Sequence, residues 1–242
     1  GTFTGLAEGA NLTVNGVSKQ LTYVGGDGND VLLVPPLPSV TAATTSLAAN
    51  ATTITINGNN FDTTPGNNTV VFNNGAVGTV TAATATSLTV TFSTQPTGPG
   101  SLTVVVTNGL GSSGAAVQVA NVANIITTLT GGALTITDVA NGNDTLSLSQ
   151  SAGNLVIGAD ASSVISSNAG TGSGTNSVSI PLSSITGLIT ANAAGGTDII
   201  KVGAFVTAVN GLTINGGTGN DTVNWNGDIT FASGTNLDAD LQ

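Results

Sequence analysis

The chain has 242 residues and a formal net charge of -10, with Lys19 and Lys201 as its two cationic side chains and no His, Cys or Met. Nucleophilic triads that need His or Cys are therefore excluded. Nucleic-acid binding is effectively excluded as well, because an acidic chain with two Lys and no Arg cannot neutralise phosphates. No apolar run reaches the roughly 18 residues of a membrane-spanning helix. We expect a protein that is not an enzyme, requires no cofactor and does not insert into membranes.

The remaining residues predict an all-β protein. Gly, Thr, Ser and Asn interrupt every stretch long enough for three helical turns, and these residues favour caps, turns and strands. Hydrophobic residues make up 39% of the chain and aromatic residues 3%, so the core must be thin and aliphatic. Thin cores suit β-sandwiches and β-solenoids. The composition divides the chain into a β-hairpin segment at 1–34, a proline-rich linker at 35–38, a β-sandwich at 39–122 and a solenoid-like repeat region at 123–242.

The first segment carries the strongest hairpin signal in the chain. Asn15-Gly16 lies between two alternating apolar runs, and both residues tolerate the positive φ angles of a type I′ turn. A further strand, Val31 to Val34, ends at Pro35-Pro36. Because proline fixes φ and removes a hydrogen-bond donor, a domain boundary is expected there.

The second segment contains six or seven short alternating runs separated by Gly, Asn and Pro, which is typical of a sandwich. The Gly-x-x-Phe pattern at Gly58 to Phe61 and the strand TSLTV at Thr86 to Val90 resemble an IPT/TIG domain over about residues 38–119. The resemblance implies an immunoglobulin-like fold. Members of that family occur in bacterial surface proteins, cell-surface receptors and some transcription factors, and the scarcity of basic residues here favours the surface proteins.

The third segment repeats a strand, a glycine-rich turn with Asp, and a second strand. Three copies align, at Asn141–Ser149, Gly195–Val202 and Gly216–Trp225. Asp198 and Asp221 are 23 residues apart. This interval is close to the length of one turn of a β-solenoid or β-helix, in which each coil stacks on the one before it. The Gly- and Ser-rich tract 166–177 is expected to be an inserted, protruding loop.

Two segments, Gly25–Leu33 and Gly216–Asn224, satisfy the nine-residue pattern G-G-x-G-x-D-x-U-x. They resemble the calcium-binding turns of RTX β-rolls, which implies Asp30 and Asp221 as ligands of calcium. The family uses tandem copies, whereas these two are far apart. The other interpretation is that Gly-Asn-Asp forms a tight turn between strands.

Two further side chains have functional interpretations. Trp225 could stack on a sugar ring, or fill the end of a thin core. Lys201 lies in an apolar run near Asp198, where it could join an Asn as in some pilus proteins, or simply face solvent from its strand.

These patterns favour a structural role outside the cell. Segments that resemble residues 1–34 close β-solenoids in large bacterial surface proteins, which implies that this element either closes a solenoid or forms an intersubunit contact. An open solenoid end exposes unpaired backbone groups, and a contact between copies that does not close makes a filament. We expect a bacterial surface filament, fibre or surface layer whose partner is a second copy or a neighbouring repeat. The alternative is an adhesin or carbohydrate-binding module with a glycan partner.

Overall fold

The computed structural model describes residues 2–28 and 30–241. These residues form β-strands and two single 3-10 turns, at Pro65–Asn67 and Leu182–Ser184. The described residues contain no helix long and apolar enough to cross a membrane. The expectation of an all-β protein is confirmed.

The first sheet is a three-stranded antiparallel meander. Its strands, in spatial and chain order, are β1 (Asn11–Val14), β2 (Val17–Gly25) and β3 (Asp30–Val34). Asn15 and Gly16 connect β1 to β2 with φ angles of 51° and 78°, as the predicted hairpin requires. Leu21 is buried, whereas Val24, Leu32 and Leu33 are exposed. The sheet therefore has little core of its own.

Residues 39–123 form two sheets that face each other. The strands are β4 (Ser39–Val40), β5 (Ser46–Ala48), β6 (Thr53–Asn59), β7 (Thr69–Phe72), β8 (Val77–Ala83), β9 (Ser87–Thr94), β10 (Gly100–Asn108), β11 (Gly111–Ser112) and β12 (Val117–Ala123). One sheet has the order β4-β6-β9-β8, and the other has the order β11-β10-β12-β5 with β7 also on β10. Every second residue of β6 is buried, so its aliphatic face closes the core against β10.

Residues 125–240 form two larger sheets and two short ladders. Its strands are β13 (Ile125–Thr130), β14 (Ala133–Asp138), β15 (Thr145–Ser151), β16 (Asn154–Gly158), β17 (Ile165–Ser167), β18 (Ser177–Pro181), β19 (Ile189–Asn192), β20 (Gly195–Gly196), β21 (Ile199–Val202), β22 (Phe205–Val209), β23 (Leu212–Asn215), β24 (Thr218–Gly219), β25 (Thr222–Trp225), β26 (Ile229–Phe231) and β27 (Leu237–Asp240).

Four rows of parallel strands make up what we call the parallel stack. The rows are β14-β19-β23-β27, β15-β21-β25, β20-β24 and β22-β26. Asn192 pairs with Asn215, 23 residues later, so side chains of the same kind lie above one another. Inward-facing aliphatic residues such as Ile136, Val202 and Ile214 are fully buried between the rows.

The part of this region between β13 and β18 is built differently. Antiparallel pairs join β13 to β14, β15 to β16 and β16 to β18. The tract 166–177 was expected to protrude, and this expectation is wrong. Thr171 pairs with Ser179, and a Cβ atom on Gly170 or Gly172 would overlap the carbonyl oxygen of Ser179 or Ser177. Glycine lets this tract lie flat along β18.

Candidate functional site

Three aspartates lie above one another at one corner of the parallel stack, and we call them the aspartate ladder. Asp144, Asp198 and Asp221 each stand just before a strand of the row β15-β21-β25. The main-chain N–H of Asp144 donates to Oδ1 of Asp198 at 2.8 Å, and that of Asp198 donates to Oδ1 of Asp221 at 3.0 Å. The carboxylates of Asp198 and Asp221 thus each satisfy a backbone donor of the preceding layer, which the turn would otherwise leave unpaired.

The glycines beside the ladder bring the turns close together. Gly196 and Gly219 have φ angles of 138° and 133°, which disfavour any residue with a Cβ atom. A Cβ atom on Gly219 would overlap the carbonyl oxygen of Gly196, and one on Gly196 would overlap that of Gly142. The repeated Gly-Gly pattern of the sequence is therefore explained by stacking of the backbone.

A small internal cavity lies beside the ladder. Asp138, Asp144, Asp198 and Asn192 line it together with Ile and Leu side chains, and it offers about 10 Å³ for the centre of a water-sized molecule. This space is close to that needed by one water. Asp138 is 6% exposed and Asp198 is 1% exposed. Oδ2 of both residues is buried and accepts no hydrogen bond from a described protein group.

Burial raises the pKa of these carboxyl groups. The pKa of Asp138 rises to about 6, first because burial penalises the charged form, and then because Asp144 and Asp198 are negative neighbours. Its hydrogen bond from the main-chain N–H of Ala140, 2.8 Å long, opposes this rise. Burial also raises the pKa of Asp144 and Asp198, with Asp160 and Asp221 as their respective acidic neighbours. Asp138 therefore favours a bound proton at mildly acidic pH.

An open cleft of about 720 Å³ lies on the other side of Asp144, between residues 94–99 of the sandwich and residues 139–144 and 160–163. Asn124, which is 4% exposed, connects residues of the cleft wall through hydrogen bonds. Its Nδ2 donates to Oδ1 of Asp144 at 3.1 Å and to Oγ of Ser163 at 3.2 Å, while its Oδ1 accepts from the main-chain N–H of Val164 at 2.9 Å. Asp144 and Asp160 are the acidic residues of the lining, which holds no His, Cys, Lys or Arg. It therefore lacks the usual nucleophile and base pairs.

The structure places the two residues proposed as calcium ligands in separate turns. Asp30 is exposed at the start of β3, whereas Asp221 belongs to the aspartate ladder. Calcium takes roughly six to eight oxygen ligands. Within residues 2–28 and 30–241, no group of three or more acidic, His or Cys side chains has the geometry to hold a metal ion. Calcium binding by Asp30 and Asp221 stays a prediction from the sequence.

The other two predicted positions lie at the surface of the row β15-β21-β25. Trp225, 44% exposed, ends the edge strand β25. Lys201 is exposed in the middle of β21, while its neighbours Ile200 and Val202 are buried. Lys201 thus faces away from the buried carboxyl group of Asp198. Sequence reasoning found Asp144, Asp198 and Asp221 as a repeat, but it missed Asp138 and Asn124, which belong to no repeated motif.

Residues 38–120 match the family model described as IPT/TIG domain. The match begins just before β4 and ends within β12, so the sandwich is an immunoglobulin-like IPT/TIG domain, as the sequence resemblance implied. Comparisons of the chain with curated proteins and with solved structures gave no match.

Proposed function

We propose that the chain is a structural subunit or repeat of a bacterial surface filament, fibre or surface layer. In this proposal the parallel stack is a β-solenoid, and copies join head to tail through β-strand contacts. The observation that carries the proposal is the open end of the stack. Strands β25 and β27 are edge strands among the described residues, and an edge strand presents unpaired N–H and C=O groups that can pair with another chain.

The first sheet supplies a matching surface. β3 is also an edge strand, and its Leu32 and Leu33 are each 44% exposed. Trp225 and Leu237 are exposed on the last strands of the stack. Burying both apolar surfaces against each other would be favourable by about 25 cal/mol per Å² of apolar area.

The composition supports a location outside the cell. Two Lys residues and no Arg leave trypsin-like proteases two cleavage points, and a chain without Cys depends on no redox compartment. The backbone ladders and aliphatic cores described above provide the stability that salt bridges, with 6% charged residues, do not.

Sedimentation velocity and negative-stain electron microscopy of the purified chain test the proposal. We expect concentration-dependent, open-ended oligomers and fibres one molecule wide. Leu32→Glu should abolish them, because it places a charge on the apolar surface of β3. Val71→Glu is the matched control, since Val71 is an exposed strand residue of the sandwich. A monomeric wild-type chain at millimolar concentration would contradict the proposal.

A second candidate function is an adhesin or carbohydrate-binding module, favoured by the exposed ring of Trp225 beside Asn224 and Asn226. A glycan array read with the wild-type chain and with Trp225→Ala distinguishes the two functions. Binding lost in the variant, without fibres in the wild type, would support the adhesin.

A further inference from the structure

The turn before β3 and the turn before β25 share a sequence pattern and have positive φ angles at the same two glycine positions. Gly25–Leu33 and Gly216–Asn224 have the same spacing of glycines and Asp. The second and fourth positions adopt left-handed φ angles in both segments: 58° at Gly26, 98° at Gly28, 91° at Gly217 and 133° at Gly219. Asp30 thus occupies the position in its turn that Asp221 occupies in the aspartate ladder.

The two turns differ in what lies beside them. The turn before β25 stacks on the preceding layer, because Thr218 pairs with Gly195 and Thr222 pairs with Ile199. The turn before β3 closes a hairpin, in which Gly25 pairs with Asp30. The outer edge of β3 and the carboxyl group of Asp30 are therefore exposed.

The aspartate ladder has an unfilled position at its end. In each of the two layers before it, the main-chain N–H of the aspartate donates to the carboxylate of the aspartate one layer later. Within residues 2–28 and 30–241, no group accepts a hydrogen bond from the N–H of Asp221. A carboxylate in the next layer would complete the series.

We propose that β3 of a second copy adds to β25 as the next parallel strand, with Asp30 accepting the hydrogen bond from the main-chain N–H of Asp221. This inference rests on the proposed head-to-tail assembly and specifies its contact. The register continues that of β21 on β25, in which Lys201 pairs with Asn224. Leu32 then lies opposite Val223, and Leu33 lies opposite Asn224.

This register matches the inward and outward faces of the row. Val223 packs on the core of the stack and is only partly buried, as expected of the last inward-facing layer, so Leu32 of the second copy would cover it. Leu33 would face outward beside Asn224, in line with Lys201. Adding a strand to an exposed edge is a recurrent mode of recognition, in which the backbone gives affinity and alternate side chains give specificity.

Disulfide trapping tests the register directly, because the chain has no native Cys. Neighbouring strands lie about 4.8 Å apart, which is within the Cα–Cα range of disulfides. Under mild oxidation, a mixture of the Leu33→Cys and Asn224→Cys chains should give a covalent dimer. A mixture of Leu32→Cys and Asn224→Cys is the control, since these two side chains would lie on opposite faces, and it should give little.

Variants of Asp30 test the hydrogen bond. Asp30→Ala should weaken association about tenfold, the usual effect of losing a hydrogen bond to a charged group. Asp30→Asn keeps an acceptor oxygen and should recover most of the affinity. Asp27→Ala removes an equal charge from the same turn and should leave the affinity unchanged.

The outcomes separate this contact from the assembly as a whole. If the wild-type chain forms fibres but the two Cys mixtures give equal amounts of dimer, or neither gives any, the register is wrong while head-to-tail assembly stands. Equal effects of Asp30→Ala and Asp27→Ala would overturn the hydrogen bond. If the wild-type chain stays monomeric, for example because a further stretch of its own polypeptide occupies the edge of β25, both proposals fail.

Discussion

Asp138 lies at the end of β14, where the buried side of the strand meets the internal cavity. The groups that face it there are the carboxyl groups of Asp144 and Asp198 and the amide of Asn192. No cationic group contributes to its pKa. A buried carboxylate without a cationic partner is costly, and binding a proton relieves that cost.

We predict that the chain is more stable near pH 4.5 than near pH 7.5. The pKa of Asp138 is about 6 in the folded chain, above the ordinary value of 3.8. Its contribution to stability is therefore fully present below pH 3.8 and is lost as the pH rises through about 6. The raised pKa values of Asp144 and Asp198 act in the same direction. The lowered pKa of Asp62 acts only below this window.

Thermal unfolding at both pH values, for the wild type and for Asp138→Asn, measures this effect. The variant keeps an acceptor oxygen for the N–H of Ala140 but cannot ionise, so its unfolding temperature should change less with pH. Identical pH dependence in the two chains would show that Asp138 is not the group responsible.

At the scale of single elements, the turns of the parallel stack depend on glycine for two separable reasons. Gly219 has a left-handed φ angle and also touches the backbone of the layer below. Gly153, in the hairpin between β15 and β16, has a φ angle of 79° but has no atom within 4 Å of its Cβ position. Substitutions at these two glycines therefore separate the cost of a left-handed φ angle from the cost of a close contact with the neighbouring backbone.

We expect Gly153→Ala to lower the free energy of unfolding by about 1 kcal/mol, the usual cost of a left-handed residue with a Cβ atom. Gly219→Ala should cost about 3 kcal/mol or more, because overpacking adds roughly 1–3 kcal/mol. Urea denaturation of both variants measures the difference. Equal losses of unfolding free energy in the two variants would mean that the turn before β25 can move away from the preceding layer without penalty.

Local patterns predicted much of these elements. Residues that are close together in the sequence were enough to predict the turn at Asn15-Gly16, the alternation in β6 and the 23-residue interval from Asp198 to Asp221. The antiparallel pairs within the region from β13 to β18 did not follow, because the partner of a strand is chosen by contacts distant in sequence. The burial of Asp138 was missed for the same reason, since a cavity is formed by several strands at once.

For the whole molecule, stability should be unevenly distributed. The sandwich and the parallel stack each contain a large aliphatic cluster, whereas among the described side chains of the first sheet Leu21 is the buried apolar residue. Regions with few buried contacts open at lower free energy than the rest of a protein. Cleavage after each Lys residue measures how readily its region opens. Lys19 lies in β2 of the first sheet, and Lys201 lies in β21 of the parallel stack.

Trypsin should therefore cut the native chain after Lys19 at least about tenfold faster than after Lys201, because cleavage of the opened form follows its population. Strand β21 pairs on both sides, with β15 and β25, so exposing its backbone requires the stack to open. Mass spectrometry of timed digests identifies the cuts, and Lys19→Gln is the control that should leave the chain intact over the same period.

In assembled material the cut after Lys19 should slow, since β3 would then be paired on both edges and would hold β2 in place. Equal rates at the two Lys residues in the monomer would show that the first sheet is as stable as the stack, and an unchanged rate after Lys19 on assembly would place the contact between copies elsewhere.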